Sequence, residues 1–154
     1  MMIRHLLAPL AIATTLAVPL SADASLVCRG DANSVGPGAS LRWNGAFNTA
    51  DGTIVADGMP ANTAGFVIYG FGQTNTPLGD GTLCVSGVNW ILARKGTDAS
   101  GKMSLDVDAE GDFDDLIWLD WPGNDEFVFQ YMYRDPSGGP AGFNLSSAVR
   151  VSWE

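Results

Sequence analysis

Along this chain apolar and polar positions alternate with period two in short runs, and no run keeps a helical period for three turns. Eight runs predict strands: 39–47 (ASLRWNGAF), 53–57 (TIVAD), 64–71 (AGFVIYGF), 87–94 (GVNWILAR), 103–108 (MSLDVD), 116–121 (LIWLDW), 126–135 (EFVFQYMYRD) and 145–153 (LSSAVRVSW). Turn dipeptides punctuate them at Asp51-Gly52, Asp57-Gly58, Asp80-Gly81 and Pro122-Gly123. Short strands at this spacing predict an all-β fold, an antiparallel β-sandwich of about seven to nine strands. The run 126–135 is the strongest. Phe127, Phe129, Tyr131 and Tyr133 share one face, and Val128, Gln130, Met132 and Arg134 share the other. Both faces are largely apolar, so this strand is expected centrally, with one face on the core and the other partly covered.

The N-terminus reads differently. Arg4 and His5 precede an apolar run, LLAPLAIATTLAVPL (6–20), and SADA then sets Ala22 and Ala24 in the A-x-A arrangement that signal peptidase reads. The run is shorter than the ~20 residues needed to span a bilayer. Residues 1–24 are therefore expected to be a signal peptide, and 25–154 a single secreted domain with no membrane contact after cleavage. Cys28 and Cys84 are the only cysteines, and in an exported chain they are expected to form a disulfide.

Charge and residue inventory then remove several classes of function. Residues 25–154 carry sixteen acids against seven bases, a net charge of −9. Nucleic acid and anionic lipid need a basic surface, so neither is an expected partner. The one histidine, His5, leaves with the signal peptide, and with it goes any imidazole base, catalytic triad or histidine metal ligand. Paired cysteines supply no thiolate. No phosphate-binding glycine motif is present. The chain is expected not to be an enzyme, and any catalysis would rest on carboxylates, as in glycoside hydrolysis.

Two features stay open as binding candidates. DVDAEGDFDD (106–115) holds six acids, and Asp106, Asp108, Glu110, Gly111 and Asp114 space out as D-x-D-x-E-G-x-x-D. Hard oxygen ligands around a glycine bend suit a structural calcium ion, although Ile117 stands where an EF-hand loop has its bidentate glutamate. The other reading is a half-buried strand end with its acids in water. Trp118 and Trp121 lie at opposite parity in one predicted strand, so one can face outward as a platform for a sugar ring or else pack at the rim of the core. Arg134, at a strand end, either holds an anion or, as the favoured reading, pairs with a nearby carboxylate and fixes the turn into PSGGP. Asn144-Leu145-Ser146 matches a glycosylation sequon.

The order of landmarks also carries a resemblance. Cys28, NSVGPGAS (33–40), DGTIVADGMPANTAGFVIYGFGQT (51–74), Leu83-Cys84-Val85-x-Gly87, Arg94, SLDVD (104–108), PGNDEFVFQYMYRD (122–135) with its Phe129-Gln130-x-Met132-Tyr133-Arg134-Asp135, and FNLSSAVRVSW (143–153) together resemble a secreted β-sandwich domain that recurs in exported proteins of environmental bacteria. The resemblance spans 28–153 and implies a fold and export, but no catalytic residues. EGDFDDLIWLDW (110–121) departs from it. Taken together, these readings predict a secreted, non-enzymatic interaction or structural module. Calcium is the one cofactor the pattern allows, and an extracellular protein or glycan is the expected partner. The alternative is an extracellular carbohydrate-binding or carboxylate-dependent glycan-active protein.

Overall fold

The computed structural model describes residues 23–45, 52–87, 90–107 and 126–152, with the side chains of Asp23 and Trp90 left aside. Among these residues the chain is all-β, with ten strands and no helix. They are β1 (Asp23–Cys28), β2 (Ser40–Asn44), β3 (Thr53–Asp57), β4 (Gly65–Gly70), β5 (Gly72–Leu78), β6 (Gly81–Ser86), β7 (Trp90–Arg94), β8 (Met103–Asp106), β9 (Glu126–Arg134) and β10 (Phe143–Ser152). Every pairing is antiparallel. A five-stranded sheet runs β1-β10-β9-β4-β7, a three-stranded sheet β2-β3-β8, and β5-β6 form a separate hairpin. The predicted strand 116–121, the turn at Pro122-Gly123 and residue 51 of the first turn pair lie outside the described residues.

The count exceeds the predicted seven to nine because β1, β5 and β6 carry weak signals. β5 reads GQTNTPL, with no apolar alternation and a proline that a ladder tolerates only at an edge. It forms because Leu78 pairs with Gly81 across the two-residue loop Gly79-Asp80, where Gly79 takes φ +65°. β1 begins at Asp23 and pairs with β10 from Ser152 backwards. It thus starts two residues before the expected cleavage point, which would leave Ser25–Cys28 in the strand.

The alternation in β9 explains the layers. Phe127, Phe129, Tyr131 and Tyr133 point into the main core, where they meet Leu41, Trp43, Ile54, Ala56, Met103 and Leu105 of the three-stranded sheet. Phe129 stacks on Trp43 with ring centroids 5.7 Å apart. The opposite face, with Val128 and Met132, packs with Ile68, Leu145 and Ala148 against Leu78, Leu83, Cys84 and Val85 of the hairpin. β9 therefore lies centrally, between β10 and β4, as its pattern predicts.

Gln130 is the polar exception on that covered face, fully buried. Its Oε1 accepts a hydrogen bond from the Cys84 N–H (2.9 Å), and its Nε2 donates to the carbonyls of Thr82 (2.9 Å) and Ser146 (2.8 Å). The hairpin is fastened to the sheet by this side chain and by the Cys28–Cys84 disulfide, whose Cα atoms are 6.4 Å apart. A disulfide is consistent with an oxidising compartment.

A bulge in β10 between Leu145 and Ala148 joins the layers. There Ser146 Oγ accepts the Tyr131 N–H, and Ser147 Oγ accepts the Leu41 N–H (2.7 Å) while the Ser147 N–H donates to the Ala39 carbonyl.

Candidate functional site

The hairpin covers only part of the outer face of the five-stranded sheet. What remains open is a groove of about 600 Å³ over the ends of β7, β4 and β9, within the roughly 300–1,000 Å³ of ordinary ligand sites. Its floor follows from register. Phe66 of β4 lies opposite Arg94 of β7 on one side and Met132 of β9 on the other, so the three share a face. Arg134, two residues beyond Met132, lies on that face opposite Phe143, and Ile91 opposite Ile68 completes the wall, 47% exposed.

The rim of the groove is tied down. The Asp80 carboxylate accepts the N–H groups of Ala141 (3.1 Å) and Gly142 (2.8 Å), and the Asp80 N–H donates to the Phe143 carbonyl (3.0 Å). The Phe143 ring lies so close to Gly79 that a Cβ there would come within 2.3 Å of it. Asp135 is fully buried. Its Oδ2 accepts the Ser34 N–H (3.0 Å), and its own N–H donates to the Gly142 carbonyl (3.0 Å). The turn into PSGGP is thus held by Asp80 and Asp135.

This corrects the favoured reading of Arg134, which has no carboxylate within ion-pair reach among the described residues. Its backbone N–H donates to the Ala64 carbonyl, while its side chain and that of Arg94 are exposed at the groove. Tyr133 borders the inner end through its backbone while its ring points into the main core, where its hydroxyl accepts a hydrogen bond from Asn33 Nδ2 (2.9 Å). Burial pushes its hydroxyl up to about 12, against the smaller lowering effect of Asn33, and Tyr131 is likewise raised to about 12 by burial. Both phenols are neutral at ordinary pH, and Tyr131 donates to the Lys95 carbonyl.

Of the four expected calcium ligands only Asp106 is described. It is an exposed residue at the end of β8, paired with Thr53. Asp108, Glu110 and Asp114 lie outside the described residues, as do Trp118 and Trp121. Among the described residues no three His, Cys, Asp or Glu side chains come together as a metal site. Glu126, the first residue of β9, lies at the far end of that strand from Arg134, roughly 27 Å along it. Trp43 is buried core, and the sequon Asn144 is fully buried, donating to the Ala32 carbonyl (3.0 Å). A glycan cannot be carried there in the folded domain.

Sequence reasoning weighed Arg134 as a binding residue and had Arg94 only as a landmark of the resemblance, without joining Arg94, Phe66, Met132 and Phe143 to it. They come from four separate strands, and only register brings them onto one face. No protein-family model, curated protein or solved structure matches this chain. Function has to be argued from the groove itself.

Proposed function

We propose that this chain is an exported, non-enzymatic β-sandwich module that binds a ligand in the groove over β7, β4 and β9. One observation carries the reading. The groove is lined by apolar side chains and two guanidinium groups, and among the described residues its lining contains no carboxylate, histidine, cysteine or serine. The guanidinium groups offer no lone pair to act as base or nucleophile, and the Tyr133 ring points into the core, so no described lining group is suited to move a proton or attack a substrate near pH 7. Such a surface holds a ligand and leaves it unchanged.

The test is a joint assay of the exported protein for glycan binding and for turnover of chromogenic glycosides. The expected result is no turnover. Hydrolysis that copurifies with the folded protein through two orthogonal columns would overturn the reading. Glycan binding that disappears in Trp121→Ala would move the function to the 108–125 stretch instead.

Calcium stabilisation is a separate proposal, supported by the spacing of Asp106, Asp108, Glu110 and Asp114. A site that binds only the folded state adds about 2.7 kcal/mol at 100 times its dissociation constant. The melting temperature is accordingly expected to rise by several degrees in millimolar calcium over chelator. Identical melting curves would remove the metal.

A further inference from the structure

We infer that the groove takes an amphipathic monocarboxylate, its apolar body lying across Phe66, Ile91, Met132 and Phe143 and its head held between Arg94 and Arg134. The inference deepens the binding-module reading and rests on it. Four apolar side chains on one open face, with Met132 adaptable in shape, form a surface that gains by excluding water from an alkyl or aryl chain. Ile91 is one of only three large hydrophobic residues exposed among the described residues.

The charge of the groove selects the head group. The exported chain has sixteen acids and only seven bases, yet two of those bases line this one groove with no carboxylate in ion-pair reach among the described residues. Arg94 and Arg134 lie on strands separated by β4 and are offset by two residues. That puts their Cα atoms about 12 Å apart, which two extended arginine side chains can close from either side. Each guanidinium presents the planar fork that matches a carboxylate in a bidentate pair. A phosphate monoester offers the same pair of acceptor oxygens to each fork, so it is the competing head group that the titration separates from carboxylate.

The rim is already built to receive it. Asp80 locks the 141–142 backbone and Gly79 seats the Phe143 ring, so little ordering remains to oppose binding.

The experiment titrates the exported protein with decanoate, decanol, decyl phosphate and acetate. Calorimetry follows affinity, and the Met132 methyl resonance reports location. Decanoate is expected to bind and to shift the Met132 methyl, with decanol and acetate weaker by about tenfold or more, since a charge-assisted pair and the apolar contact each account for at least that factor. Arg94→Gln and Arg134→Gln are each expected to weaken decanoate by about tenfold, with melting temperatures near that of the parent because both side chains are exposed. Three results would overturn the inference: decanol binding as tightly as decanoate, decyl phosphate binding more tightly, or decanoate affinity unchanged in the double arginine variant. A failure to bind decanoate at all would also overturn it. The binding-module reading would still stand for another class of ligand, since turnover, or glycan binding lost in Trp121→Ala, is what overturns that.

Discussion

Replacing Gln130 with leucine is expected to destabilise the domain by about 3–5 kcal/mol, read as a lowered urea midpoint at constant slope. Leucine keeps the volume but satisfies none of the three backbone groups that the amide now serves, the Cys84 N–H and the carbonyls of Thr82 and Ser146. Each buried polar group left without a partner costs about 1–3 kcal/mol, and better burial of an apolar side chain returns only part of that. Against a total stability of about 5–15 kcal/mol the loss is large. Gln130→Glu is expected to be worse at neutral pH, because it turns a carboxylate oxygen toward two carbonyls. A loss below about 1 kcal/mol for Gln130→Leu would show that the hairpin is held without this amide.

The paired substitution Cys28→Ala/Cys84→Ala is expected to cost about 4 kcal/mol, because the bridge closes a long loop, with a sequence separation of 56, in the unfolded chain. For a domain of this size the melting temperature should fall by roughly 10–20 °C in scanning calorimetry. β1 keeps its ladder to β10 in that variant, so the strand should persist while the hairpin loosens. The bridge and Gln130 converge on Cys84 from its side chain and its backbone. The triple variant is therefore expected to deviate from additivity by more than about 0.5 kcal/mol, as neighbouring sites do. A melting temperature within two or three degrees of the parent would sink the prediction for the disulfide.

These two sites also show what the landmark motifs do physically. Leu83-Cys84-Val85-x-Gly87 and the strand containing Phe129-Gln130 are remote in sequence, yet Gln130 is the group that joins them. Ser146 and Ser147 form the β10 bulge, replacing ladder bonds with hydroxyl bonds to Tyr131 and Leu41. Asn33 donates to Tyr133 and to the Gly58 carbonyl, and Asp135 accepts from Ser34. These motif residues make scaffold contacts, whereas Met132 and Arg134 of the second motif face the groove. The groove residues Arg94, Phe66 and Ile91 lie outside the two most distinctive motifs.

Legibility followed the strength of the local signal. β2, β3, β4, β7, β8, β9 and β10 were readable because apolar alternation reports burial on one face, and the apolar residues on both faces of β9 reported burial on both. β5 was not readable, since a polar strand in a hairpin is stabilised by its partner and its turn and leaves no periodic mark. Arg134 was legible as a residue with a choice of partners. That choice was decided by placement: the Asp80 carboxylate accepts from the 141–142 backbone, and the Asp135 carboxylate is buried, its Oδ2 accepting from Ser34, while the Arg134 side chain is exposed at the groove.

By itself the sequence determined an all-β antiparallel domain, a central β9, a disulfide between the only two cysteines, and the exclusion of histidine- and thiol-based chemistry from residues 25–154. All of these rest on composition or on period-two patterning, which are local properties. Tertiary structure alone decided that Asn144 is buried and Trp43 is core. It also decided that Gln130 clasps the hairpin, and that Arg94 and Arg134 share an open apolar groove with Phe66 and Met132. Each of those depends on strand order and cross-strand register, which bring together residues that no local pattern connects.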